Sequence, residues 1–311
     1  MVSGLMDRVT AYAPGTTSNL GPGFDCLGIA ITGMGDRVTA ARAPSPGVRV
    51  LSVSDPKIPA DPDRNTAALA ASEVLSRAEA TQLGLALDIE KGLPLAGGLG
   101  GSAASAVAGA VVAAAFLETP LEHAVLLECA LAAETAVAGR HADNVAPSLF
   151  GGAVLIQTLD PFEHVPLTVH ESVRLVFVMP GYEVATLKAR ALLPVAIARP
   201  EAVAQAAALA GLVVGLESGN GELIGRSMVD RIAEPGRIPL YPGYAEAREA
   251  ALGAGAWGVA VSGAGPTLVA LAPEENVAAV GKAAAHAYEG LGGSPPRVHV
   301  AGVDAEGARV L

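Results

Sequence analysis

A chain of 311 residues can bury one large hydrophobic core or two ordinary ones. Hydrophobic residues make up 51% of it but aromatic residues only 4%. The apolar mass is therefore Ala, Val and Leu, which suits closely packed helices, and a charged fraction of 16% argues against long disordered tracts. The formal net charge of −11 argues against a nucleic-acid partner, while leaving room for a local basic pocket that takes an anion.

In chain order, Met1–Val9 carries Asp7 and Arg8 without an apolar run, so no signal peptide is expected. Arg8–Ala13 reads as a strand, Gly15–Gly23 as a turn-rich loop and Phe24–Ile31 as an extended segment. Arg37–Ala43 and Val48–Val53 alternate like strands. Asn65-Thr66 can cap a helix over Ala67–Ala80, and Leu85–Glu90 alternates as a strand. A glycine-rich loop, Gly97–Gly101, opens a helix running to Leu117. Its apolar stretch, Ala103–Leu117, is too short to span a membrane and is expected as a buried helix, so no membrane partner is expected. Glu122–Ala138 reads as a helix, Gly139–Ala146 as a polar loop and Ala153–Thr158 as a strand.

A division is expected near Thr158–Glu171, giving segments 1–160 and 161–311. Beyond it, Val173–Met179 is a buried strand, Leu187–Leu193 a short helix stopped by Pro194, Pro200–Glu217 an Ala-rich helix and Gly221–Asp230 a further helix. Tyr244–Gly253 (helix), Gly258–Ser262 and Thr267–Leu271 (strands), Asn276–Leu291 (helix) and Pro296–Val303 (strand) complete the pattern. Strands and helices mix without a strict β-α-β-α rhythm, which favours an α+β fold over a doubly wound sheet. The two cysteines, Cys26 and Cys129, form no Cys-x-x-Cys pair. No disulfide framework is expected, and the cytoplasm is the natural compartment.

The most informative segment is Pro94-Leu95-Ala96-Gly97-Gly98-Leu99-Gly100-Gly101-Ser102-Ala103-Ala104. Glycines allow backbone N–H groups to converge on an oxyanion, and the helix that follows adds its positive N-terminal end. A Walker A loop would need Gly-Lys-Ser/Thr where Gly100-Gly101-Ser102 stands. A dinucleotide fingerprint matches Gly98-x-Gly100-x-x-Ala103 locally, but Gly92 and Pro94 separate it from the strand, and no suitable acidic residue follows about 20 residues on. An ordinary Gly/Ala helix-packing surface is the remaining alternative for this segment taken alone.

Two further segments bear on that choice. Pro14-Gly15-Thr16-Thr17-Ser18-Asn19-Leu20-Gly21-Pro22-Gly23-Phe24-Asp25-Cys26-Leu27-Gly28 and Val261-Ser262-Gly263-Ala264-Gly265-Pro266-Thr267 flank the loop in order. Together the three segments resemble the motifs of the GHMP kinases (galacto-, homoserine, mevalonate and phosphomevalonate kinases) over about Val9–Leu271. His141-Ala142-Asp143-Asn144-Val145-Ala146-Pro147, Thr186-x-x-x-Arg190 and Asp230-x-x-x-Glu234-Pro235-x-Arg237 are similar to the homoserine branch.

The resemblance implies a two-domain GHMP fold, with an N-terminal half like ribosomal protein S5 and a C-terminal ferredoxin-like sandwich. It implies transfer of the γ-phosphate of ATP to the hydroxyl of L-homoserine in threonine biosynthesis, the alternatives being another GHMP kinase with a mevalonate-type alcohol or a non-catalytic nucleotide- or amino-acid-binding module on the same fold. ATP is then expected on Pro94–Ala104, and Mg²⁺ on Ser102 and Glu134, with Glu128 as a weaker substitute for the latter. Arg190 and Arg237 are expected to take the substrate carboxylate, and Asn19 and Asp25 its ammonium group. His141, Asp143 and Asn144 are expected near the hydroxyl, Thr186 near the transferring phosphate, and Gly263 at close approach to both. A catalytic base is left open between Asp143 and none, because phosphoryl transfer asks mainly for positioning. A homodimer is compatible with this reading. Gly101 stands where the family often has Ser, which removes one hydroxyl contact to phosphate.

Overall fold

The computed structural model describes residues 7–137 and 139–311. Met1–Met6 and Ala138 lie outside them, so the reading of the N-terminus is untouched beyond Asp7 and the second long helix is described only to Val137.

The first half is built on β1 (Arg8–Asn19), β2 (Gly23–Arg42), β3 (Gly47–Val53), α1 (Thr66–Arg77), β4 (Gly84–Glu90), α2 (Gly101–Ala114), α3 (His123–Val137), α4 (Ala142–Phe150), β5 (Ala153–Leu159) and β6 (Phe162–Leu167). The second half follows with β7 (Arg174–Met179), α5 (Thr186–Arg190), α6 (Arg199–Ser218), α7 (Gly221–Ser227), α8 (Glu234–Arg237), α9 (Tyr244–Gly253), β8 (Gly258–Val261), β9 (Leu268–Ala272), α10 (Val277–Ala287), β10 (Arg297–Ala301) and β11 (Arg309–Val310). Among the described residues there are two sheets. One has seven strands, in the order β11-β1-β2-β4-β3, with the β5–β6 hairpin attached to β2. The other has four, in the order β10-β7-β9-β8. The α+β expectation therefore holds. The β5–β6 hairpin straddles the expected division at 160/161, and β11 returns to pair with β1.

Three local readings change. Thr16–Ser18, expected in a loop, continue β1 and pair with Gly28–Ala30. Polar residues can be buried in a strand when their hydroxyls find partners, and all three do. The polar loop 139–146 gives way to α4 from Ala142 onward. Ala142, Val145, Ala146 and Leu149 form a buried stripe at helical spacing, which the conspicuous His141, Asp143 and Asn144 obscured. The strands β6 and β11 and the one-turn α8 had no pattern strong enough to announce them.

Helix α2 explains the shortage of aromatics. Ten of its residues are buried, and it crosses α1 at backbone distance. A Cβ on Gly109 would lie 2.2 Å from the Ala67 carbonyl oxygen. In the four-stranded sheet, alternate residues serve opposite faces. Val176 and Val178 pack with Tyr244, Ala247 and Val280 of α9 and α10, while Leu175 and Phe177 join the core that includes Leu212 and Leu216 of α6. By length and composition α6 could cross a membrane. Here it docks on the first half, where Gln205 Nε2 donates to the Pro22 carbonyl at 3.0 Å and Gln205 Oε1 accepts the Arg231 N–H at 2.8 Å.

Two outcomes follow from this packing. Gly109→Ala gains about 1 kcal/mol of helix propensity but forces a methyl into backbone, an overpacking cost of about 1–3 kcal/mol with no rotamer to relieve it. Thermal denaturation is expected to show a net loss of stability, and an unchanged or raised Tm would contradict the α1–α2 contact. The second outcome concerns Glu234, which accepts a hydrogen bond from the Tyr244 hydroxyl. Burial, with help from Asp230, pushes its carboxyl from an ordinary 4.5 up to about 7, against the opposing Tyr244 hydrogen bond. The folded state thus holds a proton that the unfolded chain releases earlier. Its stabilising effect is complete below about 4.5 and is lost as pH rises to about 7, roughly 3 kcal/mol in all. Glu234→Gln keeps the acceptor and removes the titration. The Tm of this variant relative to the parent should therefore rise between about pH 5 and pH 8; a flat or falling difference would refute the assignment.

Candidate active site

The segment Pro94–Gly101 links β4 to α2 and wraps the mouth of a cavity of about 280 Å³. Its path needs left-handed backbone at Ala96 (φ 47°), Gly98 (φ 76°) and Gly100 (φ 65°). Glycine is required at the last two by contact as well. A Cβ on Gly98 would sit 2.2 Å from the Ser262 carbonyl oxygen, and one on Gly100 would sit 2.1 Å from Thr16 Oγ1. The loop is thereby pressed onto two distant segments. Thr16 N–H donates to the Leu99 carbonyl at 3.2 Å, and Ser262 Oγ donates to the Gly98 carbonyl at 2.7 Å. Ser262 Oγ also lies 2.9 Å from Thr17 Oγ1, and Gly263 N–H donates to the Ser18 carbonyl at 3.1 Å. The loop's inner face and the first turn of α2 open into the cavity, where unpaired helix N–H groups favour an anion.

Of the eleven residues expected on the nucleotide, Pro94, Leu95, Ala96, Gly97, Gly98, Gly100, Gly101 and Ser102 line the cavity. Leu99, Ala103 and Ala104 do not. Their side chains are buried in the core and anchor the loop from behind. Their apolar character made them part of the motif, and core packing is the physical reason for it.

Ser102, in the first turn of α2, donates to Glu134 Oε1 at 2.7 Å. Glu134 projects from α3 and is buried, and its Oε2 has no hydrogen-bond partner. Burial pushes its carboxyl up to about 6 and nearby Asp143 adds to this, while the Ser102 hydroxyl and Lys91 pull it down. Glu128, the substitute considered for Glu134, pairs instead with Arg140 at 3.1 Å and is not among the cavity residues.

Elsewhere on the lining, Arg190 makes a two-pronged contact with Asp25 at 3.0 and 3.3 Å, and its buried Nε has no partner. Asp25 itself is held in left-handed backbone (φ 57°), its N–H donating to Asn19 Oδ1 at 3.0 Å. His141 Nδ1 lies 3.8 Å from Asp25 Oδ2. Burial lowers the His141 pKa, opposed by Asp25 and reinforced by Arg190. Arg237 is buried, donates from Nε to the Ala189 carbonyl at 3.0 Å and from Nη1 to the Gly263 carbonyl at 3.4 Å, and stacks over Phe24 with 5.3 Å to the ring centroid. Asn19 Nδ2 donates to the same Gly263 carbonyl at 2.9 Å. Thr186, at the start of α5, completes this part of the lining.

Asp143 and Asn144 enter from the first turn of α4. Asn144 accepts from Thr16 Oγ1 at 2.8 Å and donates to Ser18 Oγ at 3.1 Å, so much of its side chain is committed to β1. Asp143 is buried, and desolvation with help from Asp25 pushes its carboxyl up to about 6, against the lowering effects of Ser18 and Arg190.

All the residues expected to face substrate or metal thus border one cavity: Asn19, Asp25, Ser102, Glu134, His141, Asp143, Asn144, Thr186, Arg190, Arg237 and Gly263. Sequence reasoning missed part of the lining, formed by Ile58, Pro59, Arg64, Asn65, Thr66 and Lys91. Asn65 was read only as a helix cap, which it is: Oδ1 accepts the N–H groups of Ala67 and Ala68. Lys91, three residues before Pro94, was the one signal in the sequence that could have pointed there.

Residues 65–152 match the GHMP kinases N terminal domain and residues 212–290 match GHMP kinases C terminal. The chain is 39% identical to a homoserine kinase of Arabidopsis thaliana, over 97% of this chain and 84% of that protein. It is 36% identical to a homoserine kinase of Trichormus variabilis, over 93% of this chain and 94% of that one. The crystal structure of a homoserine kinase from Cytophaga hutchinsonii superposes with a TM-score of 0.94 at 37% identity, covering 100% of this chain and 99% of the other. With a loop that opens a helix N-terminus into a cavity whose lining also pairs arginine with aspartate, the chain belongs to the homoserine kinase branch of the GHMP kinases.

Proposed function

We propose that the chain transfers the γ-phosphate of ATP to the hydroxyl of L-homoserine, giving ADP and O-phospho-L-homoserine for threonine biosynthesis. The observation that carries the substrate assignment is the Asp25–Arg190 pair bordering the same cavity as the phosphate loop. A zwitterionic amino acid presents one charge to each member: its ammonium to Asp25 and its carboxylate to Arg190. The planar guanidinium matches a carboxylate in a way that a sugar or a simple alcohol does not exploit. Arg237 and Asn19 act on the same wall by fixing the Gly263 carbonyl.

The bond that forms joins the homoserine oxygen to the γ-phosphorus, and the bond that breaks joins that phosphorus to the oxygen leaving with ADP. Such a transition state is loose, so positioning and charge stabilisation outweigh a strong base. The loop N–H groups and the α2 N-terminus supply fixed donors for the phosphate oxygens. Asp143 and Asn144 orient the hydroxyl end of the substrate, and Thr186 lies beside the phosphate. Ser102 and Glu134 suit Mg²⁺: both are hard oxygen donors, and Glu134 Oε2 is buried without a partner. Among the described residues no three His, Cys, Asp or Glu side chains gather as a protein-only cage, in keeping with an ion that keeps waters and phosphates in its shell. When bound, Mg²⁺ would neutralise phosphate charge. ATP-holding residues fall in segment 1–160, while 161–311 contributes Thr186, Arg190, Arg237 and Gly263.

Mixing the protein with Mg·ATP and following ADP release should show turnover with homoserine and none with mevalonate or galactose. Turnover with mevalonate alone would overturn the substrate assignment, and silence with all three would leave a nucleotide-binding module. A second outcome isolates the carboxylate clamp. Arg190→Lys keeps the charge but loses the fork, so the homoserine KM should rise at least about tenfold while the ATP KM moves less than about twofold. Equal shifts in both would place Arg190 on the nucleotide.

A further inference from the structure

The roles assigned above leave unused a buried charged cluster at the base of the phosphate loop, where Lys91 and Ser105 border the cavity. Asp36 of β2 is fully buried, and the Lys91 side chain is only 5% exposed. The Lys91 ammonium donates to Asp36 Oδ2, to the Gly101 carbonyl at 2.7 Å and to Ser105 Oγ at 2.8 Å. Ser105 Oγ in turn donates to Asp36 Oδ2 at 2.7 Å, and the Gly92 N–H donates to Asp36 Oδ1 at 3.1 Å.

We propose that Asp36 and Lys91 form a buried strut that positions the phosphate loop, with Asp36 acting through Lys91 and Ser105 on the N-terminus of α2. The cluster grips both feet of the loop. Lys91 and Gly92 are where the chain leaves β4, and Gly101 and Ser105 lie on the first two turns of α2. The loop between them does not enforce its own shape. It is glycine-rich and holds Ala96 in a left-handed conformation that costs about 1–2 kcal/mol, so the surroundings must impose it. Gly101 is the first residue of α2, and the N–H groups that face the cavity move with it. Its carbonyl is held by an ammonium whose three protons are all taken by fixed acceptors. Lys91 borders the cavity, but it is spent as a brace rather than held ready as a free cation for phosphate.

This inference rests on the proposal that ATP phosphates occupy the loop, and the experiment separates the two. ADP binding by isothermal titration calorimetry, together with the KM values of ATP and homoserine, is measured for the parent, Asp36→Asn, Lys91→Met and the double variant. Each single variant should weaken ADP binding and raise the ATP KM about tenfold, with the homoserine KM within about twofold, because each strands a buried charge. The double variant removes both charges and should be no worse than the worse single, the mark of two residues acting as one unit. A loss of ADP binding in Lys91→Met but not in Asp36→Asn would overturn the strut and make Lys91 a direct phosphate ligand. Equal rises in both KM values would overturn it as well. If a single variant does not fold, Ser105→Ala keeps the ion pair and removes one brace. It should weaken ADP about threefold, and unchanged binding would refute the proposal. A parent that binds no ADP would instead sink the kinase reading of the site.

Discussion

The Ser262 hydroxyl is the point on which the site depends. It donates to the Gly98 carbonyl of the phosphate loop and meets the Thr17 hydroxyl of β1, joining residues 164 and 245 positions apart. The three glycine-bearing segments recognised separately in the sequence are therefore one object in space. Two of them carry left-handed backbone at residues other than glycine (Asn19, Leu20 and Asp25 in one, Ala96 in the other), which their surroundings must impose. Adding a side chain to Gly98 or Gly100 would drive these layers apart, which is why backbone rather than side chains forms the surface offered to phosphate.

Electrostatics follows the same economy. The chain is strongly acidic, yet its product and nucleotide are anions. Two of the cations that border the cavity are paired: Arg190 with Asp25, and Lys91 with Asp36. Helix and loop N–H dipoles add a fixed attraction for an anion at little cost in reorganisation. Arg237 is likewise spent on the Ala189 and Gly263 carbonyls and on Phe24, so it shapes the substrate wall as well as charging it. The three raised carboxyls, Glu134, Asp143 and Glu234, all owe their shift first to burial, and two of them border the cavity.

What could be read from the sequence was whatever is local. The helices α1, α2 and α9 and the strands β4 and β7 carry their own periodicity or caps, and they lie close to where that reading put them. The motif residues could be named because glycine, arginine and aspartate at fixed spacing constrain chemistry before any fold is known. Relations across the fold could not be read. Thr16, Thr17 and Ser18 look like a turn until their hydroxyl partners at Asn144 and Ser262 are in place. Leu99, Ala103 and Ala104 belong to the motif in sequence but to the core in space. Asp36 gave no sign at all, being one acidic residue in a strand whose significance comes wholly from Lys91 and Ser105.

The division of labour between the two halves explains how one fold can serve several alcohols. Loop, helix terminus and the Ser102–Glu134 corner come from the first half, where the proposed function puts the triphosphate. Arg190 and Arg237 come from the second half, yet both are completed by the first: Arg190 by Asp25 and Arg237 by Phe24. The substrate wall is thus assembled across the cleft and exists only when the halves are docked as they are here. Gln205 of α6, bridging the Pro22 carbonyl and the Arg231 N–H, fastens that docking directly behind the wall. Specificity for the alcohol and the seating of the two halves are therefore the same structural problem, solved by a small set of polar contacts around Asn19, Asp25 and Gly263.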